Sequence, residues 1–144
     1  ILVLSSHCDE YTVFCAERAG VQGYVDKNTN TVAKLKEAIA AVAQGRGWFS
    51  EAFLAVKAER HRDPRSFDKV LTERERVVLT LLGELLTDGE VAGRLGISAD
   101  TAEKHRFNIL RKLDLRTKAD LVRYTREHGF TLAARPGGDG AMLP

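Results

Sequence analysis

The chain has 144 residues, 44% of them hydrophobic and 29% charged, with a net charge of +2, a composition that fits a soluble globular protein of one or two small domains. No apolar run approaches the roughly 20 residues that span a bilayer, and no basic segment followed by an apolar one suggests export, so an integral membrane protein is excluded and a cytoplasmic location is expected. The net charge is too small to argue for nucleic acid by itself, but it is unevenly spread: residues 1–53 hold 5 Lys/Arg against 6 Asp/Glu, and residues 104–126 hold 8 against 2, a local cluster of the kind that steers anionic partners.

The opening run ILVLSS is short, apolar and β-branched, as in a strand buried on both faces. DEYTVFCAERAG follows, with Val13, Ala16 and Ala19 at helical spacing and Gly20 as a stop. GYVDK reads as a second strand, and TVAKLKEAIAAVAQG as a helix whose stripe is Val32, Leu35, Ile39 and Val42, ended by Gly45. The order strand, helix, strand, helix predicts parallel strands with crossover helices. Two strands make too small a sheet to stand alone, so residues 1–53 read as the end of a larger α/β domain. Cys8 and Cys15, beside His7, have too few ligands near them for a metal site, and are expected to be buried or idle thiols.

Residues 54–70 turn polar, with ERHRDPRSFDK around Pro64, and read as a linker whose first part can prolong a helix to Arg62. From Leu71 on, helix-start signals repeat. Thr72 with Glu75 and Thr87 with Glu90 are T-x-x-E capping boxes, and Ser98 and Thr117 are further N-caps, the latter with Asp120 three residues on. Four helices are predicted at about 73–85, 88–95, 99–113 and 118–128. The tail, residues 131–144, has too little apolar mass to pack and is expected to be disordered.

The second and third of these helices are joined by LGIS, a short turn containing Gly96, as in a helix-turn-helix unit whose second helix enters the major groove. At 100° per residue the third helix turns Ala102, Ile109, Leu110 and Leu113 inward and presents Glu103, Lys104, Phe107, Asn108 and Arg111 outward. Lys and Arg can neutralise phosphates or donate to guanine, Asn can bond adenine, and Phe can touch a thymine methyl. His105 reads as a hydrogen-bonded structural histidine. An alternative use of the charged face is to bind a protein, such as RNA polymerase or another regulator, with vestigial DNA binding. No nucleophile, base and orienting residue cluster, and no phosphate-cradling Gly loop or zinc spacing occurs, so an enzyme is not expected.

The run LTERERVVLTLLGELLTDGEVAGRLGISADTAEKHRFNILRKLDLRTKADLV resembles the LuxR-type helix-turn-helix domain. The features that carry the likeness are the opening Leu-Thr-x-Arg-Glu, Glu90-Val91-Ala92, Ile97-Ser98, Thr101, His105 and the closing Ile109-Leu110-x-Lys-Leu. The resemblance implies a dimeric, double-stranded-DNA-binding transcription regulator, with residues 71–130 as the DNA-binding domain and Thr101, Glu103, Lys104, Arg106, Phe107, Asn108, Arg111, Lys112 and Lys118 as its contact set. Two departures stand out: Asp88-Gly89 replaces a common Asn-Lys, and Ala102-Glu103 a common Val-Lys. Glu103 repels phosphate yet can accept from cytosine N4, so the base preference is expected to differ from the family's.

Residues 1–53 resemble the last part of a response-regulator receiver domain. Ser5 matches the switch hydroxyl, Tyr24 the switch aromatic and Lys27 the lysine that contacts the phosphoryl group. The fold class implied is thus an α/β fragment, the end of a doubly wound receiver domain, followed by an all-α four-helix LuxR-type domain, in the NarL/FixJ class of two-component regulators. The family's phosphate-accepting aspartate and Mg²⁺-binding acidic pair belong to an earlier part of the receiver. Asp9, Glu10 and Asp26 do not replace them, so no cofactor is expected in this chain, with Mg²⁺ and a sensor histidine kinase as partners of the intact phosphoprotein only. Since the sequence lacks that earlier part of the receiver, it is expected to be a fragment, and Ile1, with Met142 as the only methionine, is not expected to be a natural translation start. The four-helix reading also suits the last domain of a sigma factor, but the receiver-like first half argues against that.

Overall fold

The computed structural model describes residues 1–130. It divides into two compact units, Ile1–Asp63 and a second from Pro64 onward. The expectation for residues 131–144 lies outside the described residues.

The first unit contains β1 (Leu2–Ser5), α1 (Glu10–Arg18), β2 (Gly23–Asp26), α2 (Val32–Ala43), β3 (Trp48–Phe49) and α3 (Glu51–Arg62). The strands form one parallel sheet in the order β1-β2-β3, with Leu2 opposite Gly23, Ser5 opposite Asp26 and Gly23 opposite Trp48. Parallel pairing requires crossovers, which α1 and α2 supply. The core gathers Val13 and Ala16 of α1, Tyr24 of β2 and Phe53 of α3.

Three features of this unit differ from the expectation. The sheet has a third strand, only two residues long and therefore without readable periodicity. It fits because residue 23 is glycine: a Cβ there would lie 2.6 Å from Leu2 Cδ1 and 2.9 Å from the Trp48 carbonyl oxygen. Secondly, α2 buries Ala38 and Ala41, while Val32 and Ile39 remain 70% and 52% exposed. Small side chains allow the helix to approach the sheet closely, which leaves Val32 and Ile39 outside while Leu35 and Val42 remain half-buried. Thirdly, the helix foreseen as far as Arg62 is not a mere prolongation into a linker: α3 packs into the core of this unit. Ser50 caps α3 by accepting from the Phe53 N–H at 3.4 Å, and the Phe53 ring lies 4.8 Å from Tyr24 and 5.0 Å from Phe49. The charges that suggested a solvated segment have partners: Arg60 pairs with Glu17 of α1, as does Lys57 at 3.2 Å. Only residues 63–66 join α3 to the next helix.

The second unit contains α4 (Phe67–Val70), α5 (Glu73–Gly83), α6 (Asp88–Leu95), α7 (Ala99–Lys112) and α8 (Lys118–Glu127). The last four coincide with the predicted helices to within two residues. The short α4 was not foreseen; it buries Phe67 against Phe130, with ring centroids 4.7 Å apart. Three helices open on complete capping boxes. Thr72, Thr87 and Thr117 accept from the N–H groups of Glu75, Glu90 and Asp120 at 3.2, 3.2 and 3.1 Å, and each carboxylate accepts in return at 2.8, 2.8 and 3.0 Å. Each box satisfies two N–H groups that a helix start otherwise leaves orphaned. Val78, Leu79 and Leu82 of α5, Val91 of α6, Ile109 of α7 and Leu121 of α8 are fully buried together.

Candidate nucleic-acid interface

α6 ends at Gly96, whose φ of 65° and ψ of 35° place it in the left-handed region that glycine adopts without the Cβ penalty. Two residues later Ser98, the N-cap of α7, accepts from the Thr101 N–H at 3.1 Å, and its hydroxyl lies 2.8 Å from that of Thr101. This tight turn lays α7 against α6 and α5. Ala102, Ile109 and Leu110 point into the core, as the 100° spacing requires, and Leu113 is half-buried. Glu103, Lys104, Phe107 and Arg111 are exposed, and Thr101, His105 and Asn108 are half-buried.

The expected contact set separates into two groups. Three cations are committed to protein partners. Arg106 donates from Nε and Nη2 to both carboxylate oxygens of Asp88 at 2.9–3.2 Å. Lys112 donates to both oxygens of the buried Glu75, at 3.0 and 2.8 Å, and Lys118 to the Leu86 carbonyl at 3.1 Å. Lys104, in contrast, has no hydrogen-bond or ion-pair partner among the described residues, and Arg111 makes only a long 3.4 Å bond to Asn108 Oδ1. The positive charge of the helix that no described carboxylate neutralises therefore sits at Lys104 and Arg111, with the Asn108 amide beside Arg111.

Asp88 and Glu75 are the residues that sequence reasoning missed here. Asp88 was visible as a departure from the family pattern, and Glu75 as a capping residue. Their pairing with Arg106 and Lys112 depends on helix packing, which spacing along one helix does not reveal. The electrostatics follow from this packing. Burial pushes the Glu75 carboxyl up, but its hydrogen bonds from Lys112 and Thr72 outweigh burial and hold it below the ordinary glutamate range. Arg106 is raised, chiefly by its hydrogen bonds to Asp88.

In the first unit, Ser5 and Lys27 lie at neighbouring strand ends: the Lys27 N–H donates to the Ser5 carbonyl at 2.8 Å. Ser5 Oγ accepts from the His7 N–H at 3.1 Å, and the Lys27 side chain is exposed. Tyr24 is fully buried, with its hydroxyl donating to the His7 carbonyl. Burial pushes the Tyr24 hydroxyl up to about 12 against a lowering by Ser5, with Cys8, Asp9 and Asp26 adding to the rise. Cys8 and Cys15 are free thiols, half-buried and buried.

Residues 69–125 match the family of bacterial regulatory proteins described as the luxR family. Over 134 residues the chain is 35% identical to the transcriptional regulatory protein MctR of Rhizobium johnstonii, covering 90% of this chain and 59% of that protein. It is 28% identical over 130 residues to the response regulator protein VraR of Staphylococcus aureus, covering 90% and 62%. The chain thus spans about three fifths of the length of these curated relatives. Among solved structures, RcsB from Salmonella enterica serovar Typhimurium, bound to promoter P1flhDC, aligns with a TM-score of 0.47 at 20% identity, over 86% of this chain and 58% of that one.

Proposed function

Residues 69–125 are a luxR-family domain, and from that premise we propose that the chain is the later part of a two-component response regulator that binds double-stranded DNA through α7. In this reading the protein is a cytoplasmic transcription regulator rather than an enzyme. It acts as a homodimer, and its first unit is the end of a receiver that a sensor histidine kinase phosphorylates in the intact protein, where Mg²⁺ would be needed. Ser5, Tyr24 and Lys27 are then the switch residues. The regulator and response-regulator names of the similar proteins support this reading, as does the finding that no described helix is long and apolar enough to cross a membrane.

The outward face of α7 carries the proposal. It presents Lys104, Asn108 and Arg111 from a 14-residue helix set by the Gly96 turn, a donor set suited to phosphates and to guanine or adenine edges. Arg106, Lys112 and Lys118 support the helix instead of touching DNA.

The test is a fluorescence-anisotropy titration with mixed-sequence duplex DNA at two salt concentrations. Saturable binding that weakens steeply with salt is expected, and Lys104→Ala with Arg111→Ala should reduce both the affinity and the salt slope, by about 0.9 per lost phosphate contact. Absence of binding at low salt by the folded chain, or binding unchanged by both substitutions, would overturn the assignment and favour a protein partner.

A further inference from the structure

The two residues of α7 that fit a phosphate-gripping helix least, Glu103 and Phe107, are organised by one cation. Arg106 is fixed by its fork on Asp88 and is only 18% exposed. Its guanidinium carbon lies 4.9 Å from the centre of the Phe107 ring, and its Nη2 lies 3.7 Å from Glu103 Oε1. The ring is 56% exposed and the Glu103 side chain 49%, so both project outward while remaining in contact with the same guanidinium.

We propose that Arg106 is a positioning residue that holds Glu103 and Phe107 as a paired reader of a cytosine and of a 5-methyl-bearing pyrimidine one or two base steps away. The proposal rests on the DNA-reading function of α7. A carboxylate only accepts, so in the major groove its partners are the amino groups of cytosine and adenine. Adenine sets the N7 acceptor beside its amino group, which repels a carboxylate, whereas cytosine offers the amino group without it. The apolar feature that a base edge offers to a phenyl ring is the C5-methyl of thymine, which 5-methylcytosine shares. Four residues of helix rise about 6 Å, against about 3.4 Å per base step along a strand, so the two side chains reach bases one or two steps apart. Arg106 offsets the repulsion between Glu103 and the phosphates, and its cation–π contact keeps the ring from folding onto the helix.

The experiment is selection from a random duplex library with the full chain, followed by anisotropy on the selected duplexes. The expected sites carry a cytosine with a thymine one or two steps away. Replacing that cytosine weakens binding about tenfold in the parent and little in Glu103→Ala. Replacing the thymine by deoxyuridine, which removes only the methyl, weakens binding about threefold in the parent and leaves Phe107→Ala unchanged. Arg106→Lys keeps the charge but loses the fork, so both discriminations decline while the salt slope remains. Asp88→Asn gives the same result more mildly if Arg106→Lys unfolds, as circular dichroism would reveal. Salt-dependent binding without this base pattern, an equal deoxyuridine effect in parent and Phe107→Ala, or both discriminations retained in folded Arg106→Lys would overturn the pairing while leaving DNA binding intact. Failure of the folded parent to bind any duplex would remove the underlying function instead.

Discussion

In the helical unit the decisive contacts at three helix starts lie within three residues of sequence, Thr72 to Glu75, Thr87 to Glu90 and Thr117 to Asp120. In the α/β unit they join distant segments: Tyr24 of β2 packs against Phe53 of α3 with the rings tilted, and Arg60 of α3 reaches Glu17 of α1. The difference teaches where each unit is vulnerable. Local signals define where a helix begins at modest cost if lost, whereas a small sheet depends on a few large side chains that arrive from far along the chain. Surface treatment differs as well. The α/β unit leaves Leu4, Val32, Ile39 and Leu54 between 42% and 70% exposed, and the helical unit's exposed large apolar residues include Phe107 on the proposed reading face.

The largest effect expected from this contrast is that of Phe53→Ala. It removes the ring shared by Tyr24 and Phe49 and should cost about 3–5 kcal/mol. Trp48, the only tryptophan, lies in β3, so urea titration followed by its fluorescence reports on the α/β unit alone. A loss below about 1 kcal/mol would mean that α3 is a linker after all and would break the comparison.

The next effect belongs to Lys112→Met, which leaves the Glu75 carboxylate buried without its cation and should cost the helical unit about 2 kcal/mol. This pair also has a pH signature. The folded-state pKa of Glu75 is depressed, so its contribution is present above the unfolded value of about 4.3 and is lost as pH falls through the lower folded value. Far-UV circular dichroism melts across that window should show the parent losing stability on acidification and Lys112→Met losing less. Parallel curves would sink the assignment.

A smaller effect, about 1 kcal/mol, is expected for Thr87→Ala, which removes one capping hydroxyl from α6. The loss should appear in the helical unit and leave the Trp48 transition unmoved, sharpening the distinction between the units. The smallest is a gain. Leu85 has a φ of 67° and is 64% exposed between α5 and α6, a left-handed conformation that costs a non-glycine residue about 1 kcal/mol. Leu85→Gly should stabilise the helical unit by less than that amount, seen as a small rise in its circular-dichroism melting midpoint, because glycine also gains freedom in the unfolded chain.

Much of the helical unit was legible because its signals are short-range. The T-x-x-E pairs, Gly96 and the spacing of Ala102, Ile109 and Leu110 specify α5 to α8 and the inward face of α7 without reference to any other segment. The fates of Arg106 and Lys112 were not legible. Both read as groove cations, since charge and helix face are all that spacing reports, and only the packing of α7 on α6 and α5 brings Asp88 and Glu75 within bonding distance. The polar run after Leu54 showed that a helix could reach Arg62 but not that it packs on α1: a salt bridge to Glu17 makes charged residues structural, and Glu17 is far away in sequence.

The sequence by itself therefore determined the order β1-α1-β2-α2, the starts and stops of α5 to α8, the likeness of residues 69–125 to the luxR family and the face that α7 turns outward, because propensity, capping and 3.6-residue periodicity act locally. Only the tertiary structure decided that β3 pairs with β2, that α3 belongs to the first unit, and that Lys104 and Arg111 stay clear of the described carboxylates while Arg106 lies against Asp88, Glu103 and Phe107. Each of these depends on which surfaces meet, and a hydrogen bond or ring contact forms only when packing brings both partners to the same place.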